Sequence, residues 1–228
     1  MCGIYGCIGP DASTMVLQGL RKLEYRGYDS AGLAAIFPKH QGPVKMEKTV
    51  GYVSDLVSKA NGRFDGAHIS IGHTRWATHG QVNINNAHPH SSNDGNITIV
   101  HNGIIENSTM LKKYLINKGH IFKSQTDTEV IVHLITEYLK KDNLKNSVIK
   151  MLKQLHGSFA LGIIFKDQPD LIVGARRGSP LAVGYGPNEN YLGSDSYALK
   201  SMTNKISYLS DGEFCILKKD QVEFFDEE

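Results

Sequence analysis

Cys2 is the residue best equipped for nucleophilic chemistry, because removal of the initiator methionine would leave it as the amino terminus. Its thiol would then lie on the same residue as a free α-amine. Such an amine has an unperturbed pKa of about 7.7–8.0, so a useful fraction is neutral near physiological pH and can accept the thiol proton. Alternatively, Cys2 is a small apolar residue buried in a first strand.

The pair Asn102-Gly103 offers donors for a developing negative charge. Hydrolysis of an amide needs a nucleophile and an oxyanion hole, and the Asn102 side-chain NH₂ and the Gly103 backbone N–H are suited to form that hole. Glycine also lets the backbone approach a substrate closely. Alternatively, the pair is only a turn, because Asn-Gly is a strong turn dipeptide.

Arg75 and Asp127 carry charges that match the two ends of an amino acid. Arg75 can fork onto a carboxylate, and Asp127 can take an ammonium group. A substrate that has both groups and a side-chain amide is glutamine. Each residue also has a simpler interpretation, a surface charge for Arg75 and a helix cap for Asp127. Trp76, the only tryptophan, is equally compatible with the core.

Strand patterns at both ends of the chain and helical patterns between them must position these residues. Apolar periodicity predicts helices over 11–23, over 126–140 (with a start at Thr126 or Asp127) and over 143–155. Strands are predicted at 2–9, 31–37, 68–74, 97–103, 158–165, 170–177, 181–186, 213–219 and 221–225. Two sheets packed together with helices outside satisfy this pattern.

Composition narrows the class of protein. A chain of 228 residues is long enough for one domain with a sizeable core. Its net charge of +2 is spread without a basic block, so neither a nucleic acid nor a membrane surface is predicted as a partner. No apolar run is long enough to cross a bilayer. Three widely spaced cysteines do not suggest a disulfide framework, which favours the cytoplasm.

Ten histidines leave a second class of function open, a metal-binding or interaction module built on His73, His79, His88 and His90. The cysteines, however, are not near these histidines in the spacing of a zinc finger. Loop histidines have an equally good role around a small-molecule substrate. Metal binding is therefore the alternative, and the prediction is that the chain holds no metal.

Six motifs, taken together, carry a resemblance to a known family. They are MCGI, LEYRGYDSAG (Leu23–Gly32), GHTRWATHG (Gly72–Gly80), NAHPH (Asn86–His90), VHNGIIEN (Val100–Asn107) and TDTEV (Thr126–Val130). In this order they resemble the glutaminase domain of the class II, N-terminal-nucleophile glutamine amidotransferases. RRGSPL and GSD extend the match downstream. Within that class, the arginine and the YRGYD loop look like the glutamine–fructose-6-phosphate aminotransferase family.

The resemblance implies an α+β fold, a four-layer αββα sandwich of two mostly antiparallel sheets known as the N-terminal nucleophile hydrolase fold. It implies Cys2 as nucleophile with its own amine as base, and Asn102 with Gly103 as oxyanion hole. It further implies that Arg75 binds the glutamine carboxylate and that Asp127 binds its α-amino group. The implied pocket also includes Trp76, Thr78, His79 and His88. Trp76 belongs to a loop that closes over glutamine, and Arg26 supports the nucleophile.

The resemblance also implies what the chain does and lacks. Residues 1–228 correspond to a single glutamine amidotransferase type 2 domain, without the sugar-isomerase domains that bind the acceptor fructose 6-phosphate. The expected reaction is hydrolysis of L-glutamine through a γ-glutamyl thioester, without a cofactor. The ammonia would pass to fructose 6-phosphate in a full enzyme that is a cytoplasmic homo-oligomer. Another acceptor, in another class II amidotransferase, is the alternative within the same fold.

Overall fold

Two antiparallel β-sheets lie face to face in the computed structural model, which describes residues 1–39 and 42–228. The strands are β1 (Gly3–Ile8), β2 (Ser30–Ile36), β3 (Lys45–Val50), β4 (Ile69–Arg75), β5 (His90–Ser91), β6 (Ile97–Ile105), β7 (Gly157–Phe165), β8 (Gln168–Arg177), β9 (Ala182–Gly186), β10 (Glu189–Gly193), β11 (Ile206–Tyr208), β12 (Glu213–Leu217) and β13 (Val222–Asp226). The first sheet has the order β11-β9-β10-β1-β4-β2-β3, and the second has the order β13-β12-β8-β7-β6-β5.

Helices cover the outer face of each sheet. They are α1 (Ala12–Leu23), α2 (Val53–Ala60), α3 (Ser108–Asn117), α4 (Glu129–Leu139), α5 (Leu144–Gln154) and α6 (Ser196–Lys200). A single 3-10 turn, Glu24–Arg26, follows α1. None of the helices in the described ranges is long and apolar enough to cross a membrane.

Three apolar layers hold the sandwich together. Between the sheets, Ile4 and Ile71 of the first sheet pack with Ile172 of the second. On the outer face of the first sheet, α1 buries the side that carries Val16 and Leu20. Helices α4 and α5 cover the second sheet in the same way. Because β1, β2 and β4 are covered on both faces, their side chains are buried without alternation. The predicted αββα sandwich of antiparallel sheets is confirmed.

The predicted elements agree with the structure except at polar or short segments. The predictions omitted β3, α2, α3, β10 and several shorter elements. The helix predicted from Thr126 or Asp127 begins at Glu129, so the predicted start was two or three residues too early. The reason is that the Asp127 carboxylate accepts a hydrogen bond from the Ile105 backbone N–H instead of capping the helix.

Strand pairing brings the distant motifs to one edge of the sandwich. β1 pairs with β4 in the register Gly3↔Thr74, so Cys2 lies beside the end of β4 that carries Arg75. The facing sheet contributes β6, which carries Asn102 and Gly103 near its C-terminal end. The residues that the sequence suggests as nucleophile and as oxyanion-hole donors therefore come from different sheets.

Candidate active site

A cavity of about 330 Å³ opens at this edge of the sandwich. Its walls include all ten residues that the sequence predicted for the site, namely Cys2, Arg26, Arg75, Trp76, Thr78, His79, His88, Asn102, Gly103 and Asp127. Met1, His101, Ile104, Thr126, Thr128 and Ser158 also line it. The motifs that lie far apart in sequence thus meet around one space large enough for a small molecule.

Cys2 lies in the wall of this cavity, in contact with the backbone of Trp76. The Trp76 N–H donates to Cys2 Sγ at 3.1 Å, and Sγ lies 3.4 Å from the Trp76 carbonyl oxygen. Burial raises the pKa of the Cys2 thiol above its ordinary value, although the Trp76 N–H acts in the opposite direction. A base at close range is therefore needed to form the thiolate near neutral pH.

Asn102 and Gly103 lie inside β6, so the alternative that they form only a turn is wrong. Asn102 Nδ2 donates to the Cys2 carbonyl oxygen at 3.2 Å, which places this donor beside Cys2. Gly103 has a φ of 113°, and a Cβ at this position would lie 2.2 Å from the Ser158 carbonyl oxygen. Only glycine is compatible with this backbone, and Gly103 lines the cavity.

Arg75 is buried, so the alternative of a surface charge is wrong. Its guanidinium donates to the backbone carbonyls of His79 and Gln81, and Nη1 lies 4.0 Å from the Asp29 carboxylate. Asp29 also accepts a hydrogen bond from the Ala77 N–H at 2.5 Å. Arg75 and Asp29 together hold both ends of the loop that runs from Trp76 to Gln81.

That loop forms the rim of the cavity. Trp76 is 53% exposed, so the alternative that it belongs to the core is wrong. Thr78 and His79 are exposed, and the Thr78 hydroxyl lies 3.3 Å from His79 Nδ1. Gln125 supports the loop from below, since its side-chain oxygen accepts hydrogen bonds from the Gln81 N–H and from Asn86 Nδ2. The resemblance did not reveal this contact.

Asp127 supplies a carboxylate to the wall of the cavity. It is buried, and its Oδ2 accepts from the Ile105 N–H at 2.7 Å. The alternative that Asp127 caps a helix is wrong, because Thr128 precedes α4 and no side-chain cap bond is made there. One buried carboxylate and one buried guanidinium therefore line the same cavity, as a zwitterionic ligand requires.

Four histidines form a stacked, uncharged cluster beneath the cavity. The rings of His73 and His88 are parallel with centroids 4.0 Å apart, and His90 and His101 lie against His88. Burial lowers the pKa of His73 to about 3 and that of His88 and His90 well below the ordinary value. In the described part of the chain, no three His, Cys, Asp or Glu side chains are grouped so as to hold a metal ion.

Sequence reasoning missed three residues that support the site. Asp29 anchors the loop, His73 contacts Asn102 Oδ1 at 3.0 Å, and Asp195 lies 3.7 Å from the guanidinium of Arg26. Each is part of a quoted motif, LEYRGYDSAG, GHTRWATHG or GSD. The motifs therefore contained the signal, but the partners of these side chains depend on the pairing of the two sheets.

Comparison with known proteins places this geometry among glutamine-dependent enzymes. The chain is 50% identical over 230 residues to a glutamine–fructose-6-phosphate aminotransferase (isomerizing) of Zymomonas mobilis, with 99% of this chain and 37% of the relative covered. It is 47% identical to the protein of the same name from Caldanaerobacter subterraneus, with the same coverage. The chain thus spans little more than a third of the length of these curated relatives.

Solved structures share the fold over the whole chain. A glutamine phosphoribosylpyrophosphate amidotransferase from B. subtilis, solved with ADP and GMP, matches with a TM-score of 0.81 and 25% identity, covering 100% of this chain and 49% of that chain. A glutamine aminotransferase class-II domain protein from Silicibacter pomeroyi covers both chains fully, with a TM-score of 0.68. Its 14% identity makes that match evidence for the fold alone.

The family model described as a glutamine amidotransferase domain matches residues 73–201, more than half of the chain. Its match begins at a histidine of the cluster beneath the cavity and includes Arg75, Asn102, Gly103 and Asp127. The two-sheet sandwich agrees with that assignment, as does the solved amidotransferase structure from B. subtilis. The chain therefore belongs to the glutamine amidotransferase domain family.

Proposed function

We propose that this chain is a glutaminase domain that hydrolyses L-glutamine to glutamate and ammonia through a γ-glutamyl thioester on Cys2. The observation that carries the proposal is the cavity in which the Cys2 thiol, the Asn102 amide, the Arg75 guanidinium and the Asp127 carboxylate meet. A nucleophile, an oxyanion donor and two opposite charges are the groups that this reaction needs.

The proposed first step is acyl transfer to the thiol. In a chain that begins at Cys2, the neutral α-amine accepts the thiol proton, and the thiolate attacks the amide carbon of glutamine. Asn102 Nδ2 and the Gly103 N–H stabilise the oxyanion. The carbon–nitrogen bond then breaks, the ammonium returns its proton to the leaving nitrogen, and ammonia departs. Water adds to the thioester in the second step and releases glutamate and the thiol.

The remaining residues of the site recognise and enclose the substrate. Arg75 binds the α-carboxylate and Asp127 the α-ammonium of glutamine, and both are buried enough for these contacts to be strong. Trp76, Thr78 and His79 close the rim, and His88 lines the floor. Arg26 supports Cys2 from the wall of the cavity, and its carbonyl oxygen accepts a hydrogen bond from the Met1 amine at 2.7 Å in the chain that still carries Met1.

For the whole protein, we propose that the ammonia reaches fructose 6-phosphate held by sugar-isomerase domains. Relatives at 45–50% identity, named glutamine–fructose-6-phosphate aminotransferase, support this acceptor. The resemblance also supports a homo-oligomeric enzyme, and the three free cysteines suit the cytoplasm. Another amidotransferase acceptor is the alternative, and assaying the full-length gene product with fructose 6-phosphate distinguishes the two.

The test of the domain's function is a glutaminase assay on chains that begin at Cys2. Glutamate and ammonia should form in equal amounts, and Cys2→Ala should abolish both. Cys215→Ala is the matched control, because Cys215 is buried between the sheets and away from the cavity. Glutamine turnover by the Cys2→Ala chain, or none by the wild type, would contradict the proposal.

A further inference from the structure

We propose that His73 is a positioning residue for the oxyanion hole, because it fixes the side-chain amide of Asn102 with its NH₂ group towards Cys2. This inference rests on the proposed function, which gives the Asn102 NH₂ group its catalytic role. His73 itself is not among the residues that line the cavity, and it reaches the proposed oxyanion hole through Asn102.

The contact crosses from one sheet to the other. His73 lies on β4 of the first sheet and is fully buried, whereas Asn102 lies on β6 of the second. Asn102 makes a second contact with the first sheet, since its Nδ2 donates to the carbonyl oxygen of Cys2, the residue before β1. One amide group therefore links both sheets at the point where the nucleophile meets the oxyanion hole.

A backbone carbonyl determines which nitrogen of His73 carries the hydrogen. His73 Nε2 lies 2.9 Å from the His101 carbonyl oxygen and 3.0 Å from Asn102 Oδ1. A carbonyl oxygen can only accept, so Nε2 must carry the hydrogen and donate. Nδ1 then has a lone pair, and it has no hydrogen-bond partner among residues 1–39 and 42–228. The opposite tautomer would leave a buried N–H unpaired and turn a lone pair towards two oxygens.

The same tautomer excludes the flipped orientation of the Asn102 amide. With Nε2–H committed to the His101 carbonyl, a flipped amide would present its own NH₂ to that N–H, donor against donor. Its oxygen would then face the Cys2 carbonyl oxygen, acceptor against acceptor. Both contacts are buried and unfavourable, so the donor remains on the side of the nucleophile.

Stacking holds the plane of the His73 ring. His88 lies parallel to it, with centroids 4.0 Å apart and an interplanar angle of 15°. Burial holds the pKa of His73 at about 3, so the ring stays neutral and takes no proton from the thiol under assay conditions. The geometry thus separates two roles, proton transfer at Cys2 and orientation of the oxyanion donor at His73.

The test compares His73→Leu, His73→Gln and Asn102→Ala. The leucine removes the donor, whereas the glutamine amide can place an NH₂ group near the position of Nε2. His68→Leu is the matched control, because His68 Nε2 also meets a carbonyl of the facing sheet, that of Pro169 at 2.5 Å, outside the cavity. Removing one oxyanion donor costs about 10²–10³-fold in kcat, so His73→Leu should lose about 10- to 100-fold with little change in KM.

Non-additivity is the readout that a merely structural role would not produce. In an Asn102→Ala background, His73→Leu should cause no further loss of kcat. In the chain that retains Asn102, His73→Gln should keep activity within about 3-fold of wild type. His68→Leu should leave kcat unchanged. Equal losses in His73→Leu and His68→Leu, or additive losses in the double variant, would overturn the inference. An inactive wild type would instead overturn the proposed function.

A second measurement does not depend on the folding of the leucine variant. Nitrogen-15 NMR of histidine-labelled protein distinguishes the two neutral tautomers, and the signal missing from His73→Gln identifies His73. We expect the Nε2–H tautomer near neutral pH. The Nδ1–H tautomer would overturn the inference regardless of the kinetics.

Discussion

Asn102 reaches from the second sheet to two partners in the first, Oδ1 to His73 on β4 and Nδ2 to the carbonyl of Cys2 beside β1. Asn102→Ala should therefore lower kcat for glutamine hydrolysis by about 10²–10³-fold, with a smaller effect on KM, since the donor acts mainly in the transition state. Asn107→Ala, outside the cavity, is the matched control for steady-state kinetics. A change confined to KM would mean that Asn102 binds the ground state.

Asp127→Asn isolates the charge of the group proposed to bind the α-ammonium. An asparagine oxygen can still accept from the Ile105 N–H, so the local backbone should be retained. The loss of the charge leaves the ammonium group of glutamine unpaired. The fall in kcat/KM should correspond to about 1–3 kcal/mol of lost transition-state stabilisation, mostly because KM rises. Arg75→Lys should behave similarly for the carboxylate.

Thermal unfolding checks that the Asp127→Asn variant folds as the wild type does. Normal glutamine binding by this variant would show that Asp127 serves only the backbone of β6. Normal binding by Arg75→Lys would limit Arg75 to holding the His79 and Gln81 carbonyls.

At the scale of residues, the sequence predicted the lining of the cavity but not its support. Cys2, Arg75 and Asp127 have distinctive chemistry and stand in recognisable motifs. His73 was considered only as a possible metal ligand, because its partner Asn102 is on a strand of the other sheet. Which histidine nitrogen meets which oxygen depends on how two sheets pack, and no local pattern encodes that.

Among the elements, the segment 123–128 that leads into α4 is held by the buried carboxylate of Glu129. Its oxygens accept from the Lys123 and Ser124 N–H groups at 2.8 Å each and from the Ser124 hydroxyl at 2.7 Å. His133 Nε2 lies 3.3 Å away. Burial alone would raise the pKa of Glu129, but these hydrogen bonds outweigh it and lower the pKa to about 2.

Stability should therefore depend on pH through Glu129. Its pKa is about 4.3 in an unfolded chain and lower in the folded one, so the stabilisation is fully present above about pH 5 and is lost as pH falls towards 2. Glu129→Gln should reduce the free energy of unfolding at pH 7 by about 2–3 kcal/mol, and the difference from wild type should shrink on acidification.

Denaturant unfolding between pH 7 and pH 3 measures this difference. Glu106→Gln changes an exposed carboxylate that directly follows β6, and it should change stability by less than about 0.5 kcal/mol at every pH. A difference between Glu129→Gln and wild type that is the same at pH 7 and pH 3 would contradict the assignment.

The elements that the sequence did not predict have weak patterns for physical reasons. β3 is an edge strand that reads KMEKTV and is only partly buried, so its alternation is faint. α3 buries only Leu111 and Leu115 and exposes Met110, Tyr114 and Ile116, which blurs its apolar face. By contrast, α4 and β7 bury nearly continuous apolar runs and were predicted.

At the scale of the whole molecule, the layers were predictable and the strand order was not. Strand patterns at both ends with helices between them indicate two covered sheets. The insertion of β1 between β10 and β4, which brings residues 190 positions apart into contact, has no signature in composition or periodicity. The location of Cys2 opposite β6 follows from that order.

Met1 should control the activity of the molecule as a whole. With Met1 present, the nitrogen of Cys2 is an amide and not a base, and Met1 lies in the wall of the cavity with its amine on the Arg26 carbonyl. Chains that begin at Cys2 should therefore account for all glutaminase activity. Intact mass measures the fraction of chains that lack Met1 in samples with different extents of methionine removal. Glutaminase activity should be proportional to that fraction.

Full activity in a sample that retains Met1 throughout would contradict the role of the α-amine. A side-chain base such as His79 would then be required. Such a result would leave Cys2 as the candidate nucleophile and change only the source of the base.

The identity of the nucleophile is the central claim, and covalent labelling tests it most directly. A glutamine analogue with an electrophilic ketone in place of the amide should react once per chain, and excess glutamine should prevent the reaction. Peptide mapping should locate the label on Cys2, because burial raises the pKa of Cys215 to about 12 and also raises that of Cys7. A label found on Cys7 or Cys215, with Cys2 unmodified and with the reaction prevented by glutamine, would contradict the account.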